Sequence, residues 1–117
     1  MKFAPITKPL SKKQVELIET FGAETPWGFI VIPEGFIYNG ASIPRIGQFV
    51  LGITRFGAQV RGAAIPHDYH YTYHKFPRKQ ADQIFHWMLR QNGIGRIKAG
   101  LMYRTLRLFG GAAWKNN

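Results

Sequence analysis

The sequence predicts an α+β domain: a small N-terminal antiparallel β meander followed by a C-terminal layer of about three helices. Three observations predict it. Up to about residue 45 the chain holds short runs of β-branched and aromatic residues punctuated by Pro and Gly. Beyond residue 46 apolar residues recur at helical spacing, most clearly Ala81, Ile84, Phe85, Met88 and Leu89 at i, i+3, i+4, i+7 and i+8. The length of 117 residues suits one hydrophobic core and is too short for two, so residues 1–117 are read as a single domain, mainly β over 1–45 and mainly α over 46–117.

Met1 to Leu10, with two prolines, is an extended entry. From Val15 to Phe21 two signals compete. Ser11-Lys12-Lys13-Gln14 fits a helix capping box, whereas Val15, Leu17 and Phe21 alternate with Glu16, Ile18 and Thr20; the alternation is taken, giving a strand. Trp27 to Ile32, closed by Pro33, is a second strand, and Gly35 to Tyr38 a third. Asn39-Gly40-Ala41-Ser42-Ile43-Pro44-Arg45 opens on a strong turn signal and has Ser42 placed to cap the next segment. It is either a plain turn from sheet to helix or a loop whose backbone carbonyls or amides reach a bound ion or oxyanion. Ile46 to Ile53 reads as a short helix, and Arg55 to Ala64 leads into a helical segment that Pro66 either starts or kinks. A further helix comes after the turn at Phe76-Pro77 and stops near Gly93. The last runs from about Arg96 to Phe109, with Ile97, Leu101, Met102, Leu106, Leu108 and Phe109 over half its circumference and Arg96, Arg104 and Arg107 within about 80° of one another on the other side. Gly110-Gly111 ends it, and Ala113-Trp114 makes a tail contact.

Ionisable chemistry is concentrated between Ile65 and Leu89. This stretch holds both aspartates, Asp68 and Asp82, and all four histidines, His67, His70, His74 and His86. On a helix, His67, Tyr71 and His74 share one face and Asp68 is the next residue round. Asp82 falls at the border of the apolar face of its own helix, either to offset the helix dipole or to meet a partner. If the two helices pack antiparallel, Asp82 faces His67. A carboxylate that fixes an imidazole tautomer, beside a second carboxylate free to bind a cation, is a catalytic arrangement. Equally, it is a buried polar network that holds two helices together.

Composition narrows the partners. Cysteine is absent, which rules out disulfides and thiolate metal sites. No apolar run approaches the length of a membrane span and no leader pattern stands at the start, so neither a transmembrane segment nor a signal peptide is expected. The formal charge of +10 predicts attraction to polyanions, and its positive pole is C-terminal, because no acidic residue follows Asp82. Arg96, Arg104 and Arg107 are accordingly either a solvated face or an anion-binding stripe. Weak, unspecific nucleic-acid binding follows from charge, together with aromatics at Tyr69, Tyr73 and Trp87.

Ile32-Pro33-Glu34-Gly35-Phe36, the Asn39 to Arg45 segment, His67-Asp68 with Tyr71, Ala81-Asp82 with Phe85, and Leu101-Met102-Tyr103 through Leu108-Phe109-Gly110 together resemble a phage and prophage domain family of unknown function. The likeness covers nearly the whole chain in order. It implies a phage-encoded protein in the virion or the bacterial host cytoplasm, with phage structural proteins or an anionic lipid surface as partners. The core of the pattern is similar to the phospholipase A2 signature, His-Asp-x-x-Tyr on one helix and Asp-x-x-Phe on the next. That likeness implies an ester hydrolase in which His67 activates water, Asp82 holds His67 and Tyr71 supports Asp82. It also implies a calcium ion bound by Asp68 and by backbone carbonyls of Asn39, Gly40 and Ala41. The sequence departs from the enzyme in having no Gly-x-Gly loop and in carrying Pro66 directly before His67. A metal phosphohydrolase of His-Asp type lacks its upstream histidine here, while His70, His74 and His86 with Asp82 offer a transition-metal set. A non-catalytic virion, tail or assembly component and a basic nucleic-acid-binding protein are the other two classes.

Overall fold

The computed structural model describes residues 2–40, 42–44 and 57–115. Strands β1 (Thr7–Pro9), β2 (Val15–Leu17) and β5 (Ile37–Tyr38) form a three-stranded antiparallel sheet in the order β1-β2-β5. Strands β3 (Phe21–Thr25) and β4 (Gly28–Ile32) form a separate antiparallel hairpin. Among the described residues four helices come next: α1 (Ala58–Tyr73), α2 (Arg78–Gln91), α3 (Arg96–Phe109) and the short α4 (Gly111–Lys115). The expected helix over Ile46 to Ile53 lies outside the described residues, as do Ala41 and Arg45.

The α+β class and the order of its parts are as the sequence predicts. The sheet differs in detail, because what reads as one strand from Val15 to Phe21 is two, belonging to different sheets. Val15 and Leu17 point into the core, so continued pairing would carry Glu19 inward; β2 stops at Leu17 instead, and Glu19 stays exposed. The hairpin turns over Pro26 and Trp27. There Thr25 Oγ1 accepts the Trp27 amide at 3.1 Å and donates to the Gly28 carbonyl at 2.7 Å. Alternation then sends Ile30 and Ile32 inward and leaves Phe29 and Val31 outside.

Helix α1 is the centre of the molecule. Every residue from Gly62 to Asp68 is buried, and so are Val60, His70 and Tyr71. A helix covered on most sides has no clear apolar stripe, which is why only its histidine face stands out in the sequence. Of the two roles expected of Pro66, starting the helix is excluded, because it sits in the interior. Helix α2 behaves as its periodicity predicts, burying Ala81, Ile84, Phe85, Met88 and Leu89. It packs antiparallel to α1: Tyr71 meets Arg78, His67 meets Asp82, and Gln59 meets Asn92.

The N-terminal segment is fastened to this pair by Asn92, the residue that caps α2. Its side chain accepts the Phe3 amide at 2.7 Å and donates to the Phe3 carbonyl at 3.1 Å and the Gln59 carbonyl at 3.0 Å. Phe3 passes so close to α1 that a Cβ on Gly62 would collide with its carbonyl oxygen. Replacing Asn92 by Ala strands buried backbone groups on both sides, at roughly 1–3 kcal/mol for each one left unsatisfied. Asn92→Ala should therefore lower the urea midpoint by the equivalent of about 2 kcal/mol or more without changing the slope of the transition. Gly62→Ala should unfold more readily still.

Candidate functional site

The turn after β5 and the three long helices converge on one buried polar cluster. Tyr38 ends β5 in the core, and Gly40, with φ of 74°, reverses the chain in a backbone conformation that other residues adopt at a cost. The Ile43 amide closes the turn on the Gly40 carbonyl at 3.0 Å. This delivers Ser42, itself buried, onto α1: Ser42 Oγ lies 3.0 Å from His67 Nδ1, and its amide donates to Asp68 Oδ1 at 3.2 Å.

On its other side, His67 Nε2 lies 2.8 Å from Asp82 Oδ1. The same oxygen accepts the Tyr71 hydroxyl at 2.6 Å, and Asp82 Oδ2 accepts Arg107 Nη1 at 2.8 Å. Arg78 then donates through Nε to the Tyr71 hydroxyl at 3.1 Å, and through Nη2 to the Leu106 and Arg107 carbonyls at 2.6 and 3.1 Å. The rings of Tyr71 and Phe85 pack on His67 with centroids 4.2 and 5.0 Å away. Ser42, His67 and Asp82 expose 2 %, 1 % and 0 % of their surface, so these three groups are closed to solvent.

Burial alone would raise the Asp82 carboxyl, but hydrogen bonds from His67, Tyr71 and Arg107 and the charge of His67 outweigh it and hold the group below the usual carboxylate range. The contact of Nε2 with an ionised Asp82 orients the His67 ring and leaves Nδ1 facing the Ser42 hydroxyl. Burial and then the Asp82 contact push the Tyr71 phenol up, so it remains a donor. Asp68 goes the other way. Its burial is only partly offset by Ser42, His67 and the Asn39 backbone, and its pKa is raised. The Ser42 hydroxyl thus stands between two acceptors, His67 Nδ1 and the Asp68 carboxyl, with one proton to give.

The structure brings His67, Tyr71 and Asp82 together, with Asp68 adjacent. Other expectations need correction. Asp82 lies in the second turn of α2, so it does not offset that helix's dipole; it is a buried partner of α1 and α3. Arg107 is no part of a solvated stripe, since it turns inward to Asp82, and only Arg96 and Arg104 of the three remain exposed. His70, His74 and His86 do not join Asp82. His70 is buried against Phe76, His74 stacks on Trp114 at 3.8 Å, and His86 faces Tyr103; among the described residues no metal-binding group of three such side chains forms. Ser42 and Arg78 are members that sequence reasoning missed. Ser42 stood in the turn as an expected cap, whereas nothing in the spacing marked Arg78.

The loop expected to hold calcium does not suit it. A calcium loop aims carbonyl oxygens at the ion. Here the backbone at Asn39 and Ser42 offers amide donors to Asp68, and the Gly40 carbonyl is engaged by Ile43. Ala41 lies outside the described residues. The Asp68 side of the cluster borders an open hollow of about 380 Å³, lined in part by Asn39, Thr72 and Tyr73.

A family model described as "Protein of unknown function (DUF1353)" matches residues 15–106, from β2 to within one residue of Arg107. No curated protein and no solved structure matches the chain. Among the described residues no helix is long and apolar enough to cross a membrane.

Burial, and then the nearby His67, lower His70 to about 4, and its Nδ1 has no hydrogen-bond partner. On acidification the unfolded chain therefore takes up this proton first, so stability falls as pH drops from about 6.5 toward 4, by at most about 3 kcal/mol. Asp68, with its raised pKa, opposes this as pH falls through its folded value toward 3.8, and Asp82 adds a loss as pH falls below 3.8 through its lower folded value. Comparing urea midpoints of wild type and His70→Leu across this range isolates the first effect: the variant's profile should be flatter between pH 6.5 and 4.

Proposed function

The chain belongs to the DUF1353 family of proteins of unknown function, and from that premise we propose that it is an ester hydrolase of phospholipase A2-like type with His67 as general base. Two contacts on one imidazole carry the proposal: Nε2 bound to Asp82 at 2.8 Å and Nδ1 against a hydroxyl at 3.0 Å. A base must lie within hydrogen-bond reach of the proton it removes, with its second nitrogen fixed, and His67 meets both conditions. The phospholipase resemblance assigns the attack to water. Because a side-chain hydroxyl stands at that place, we take Ser42 as the group deprotonated.

In this mechanism Nδ1 takes the Ser42 proton as Oγ bonds to the ester carbonyl carbon. The imidazolium is stabilised by Asp82, which Tyr71 and Arg107 keep ionised. Collapse of the tetrahedral intermediate breaks the bond to the alcohol oxygen, which receives the proton from Nδ1. Water then repeats the sequence on the acyl-serine and regenerates the free hydroxyl. Ser42 is buried, so access to Oγ requires its contact with Asp68 to open toward the adjoining hollow. A phage origin, with a place in the virion or the host cytoplasm, is supported by the resemblance of the Asn39 to Arg45 and His67 to Phe85 segments to phage proteins.

The near-complete burial of Ser42, His67 and Asp82 favours a second reading, in which the cluster is a polar core of a non-catalytic virion or assembly component. Release of acid from short-chain p-nitrophenyl esters and from anionic phospholipid vesicles separates the two. The hydrolase should turn over at least one of these, equally in calcium and in chelator, and His67→Gln and Ser42→Ala should each reduce the rate by about 10²-fold or more. If wild type releases no acid, with or without calcium, and the variants lose only thermal stability, the cluster is structural.

A further inference from the structure

Helix α3 presents the wrong face to solvent for an ordinary surface helix. Its buried residues are Ala99, Met102 and Leu106, while Ile97, Leu101 and Leu108 are 80 %, 44 % and 75 % exposed. At about 100° per residue these three fall within roughly 40° of one another, opposite the buried side, and form a stripe about 16 Å long. The exposed cation Arg104 stands in the stripe, and the exposed Arg96 and Lys98 lie about 100° to either side of Ile97. No acidic residue occurs on α3 or anywhere after Asp82. An open hollow of about 960 Å³ beside the first turn of α3, lined in part by Ile97 and Leu101 of the stripe and by Lys98, has room for a phospholipid headgroup.

We propose that this face of α3 docks the protein on the surface of an anionic lipid bilayer. The inference uses residues outside the His67 site and stands whether or not that site is catalytic. An amphipathic helix lying in the bilayer plane needs aliphatic side chains directed at the acyl boundary and long cationic side chains that reach back to the phosphates, and α3 has both. Charge argues against a second copy as the occupant. Two such faces would press arginines and lysines together with no carboxylate between them, on chains that each carry +10. Nucleic acid would engage the cations but leave Ile97 and Leu108 without a partner.

Flotation with vesicles of phosphatidylglycerol mixed with phosphatidylcholine, and with phosphatidylcholine alone, tests the proposal. Wild type should bind the anionic vesicles, bind the neutral ones at least about tenfold more weakly, and weaken as salt is raised. Ile97→Ser with Leu101→Ser and Leu108→Ser should lower binding to anionic vesicles by about tenfold or more, because the aliphatic contacts are lost. Arg96→Gln with Arg104→Gln should remove the preference for anionic lipid. All five positions are exposed, so the melting temperature should stay near that of wild type. Absence of wild-type binding, or a triple-Ser variant that binds as well as wild type, would overturn the proposal. So would a wild-type dimer in light scattering that the triple-Ser variant dissolves, or tighter binding to a DNA duplex that the variant retains.

Discussion

A carboxylate with no exposed surface constrains everything packed around it. Asp82 remains ionised inside the protein only because His67 and Tyr71 from α1 and Arg107 from α3 supply donors at 2.6–2.8 Å. Removing one partner from a buried set of this kind typically costs about 3–5 kcal/mol, because the remaining charge is left uncompensated. The directions of these contacts fix how α1, α2 and α3 are rotated about their axes, since each donor must point at the same two oxygens. Arg78 extends the constraint by joining Tyr71 to the last carbonyls of α3.

The rotation of α3 shows what that constraint displaces. Its sequence carries enough aliphatic residues to bury half its circumference, and only part of that set faces inward. With Arg107 drawn to Asp82, Met102, Leu106 and the small Ala99 lie against the core, and the larger Ile97 and Leu108 are left outside. Electrostatic pairing has prevailed over maximal apolar burial. At about 25 cal/mol per Å² of apolar surface, leaving two aliphatic side chains in water forgoes a few kcal/mol, comparable to the cost of an uncompensated buried carboxylate.

The sequence showed most plainly what depends on one element at a time. The strand-then-helix order, the apolar face of α2 and the shared face of His67 and Tyr71 are all periodicities of a single segment. The meeting of His67 with Asp82 was also legible, because a short turn near Pro77 allows one antiparallel pairing. What the sequence concealed depended on partners far along the chain. Arg107 looked solvated because its counter-ion lies 25 residues away on another helix. Ser42 looked like a cap because its contact with His67 comes from tertiary packing. The break between β2 and β3 was hidden because Ile18 and Thr20 continue the alternation, while the obstacle, Glu19, matters only once one face is known to be buried. In α1, burial on nearly every side erased the stripe that would have shown its orientation.

The contact between Phe3 and Asn92 joins residues 89 apart, across most of the described fold. During synthesis the amide and carbonyl of Phe3 therefore wait several seconds for the side chain that satisfies them, at usual translation speeds. Until then the groove over Gly62 has nothing to close it. The N-terminal segment is made first and secured late, so the seam along α1 stays open from the completion of that helix at Tyr73 until Asn92 has followed it.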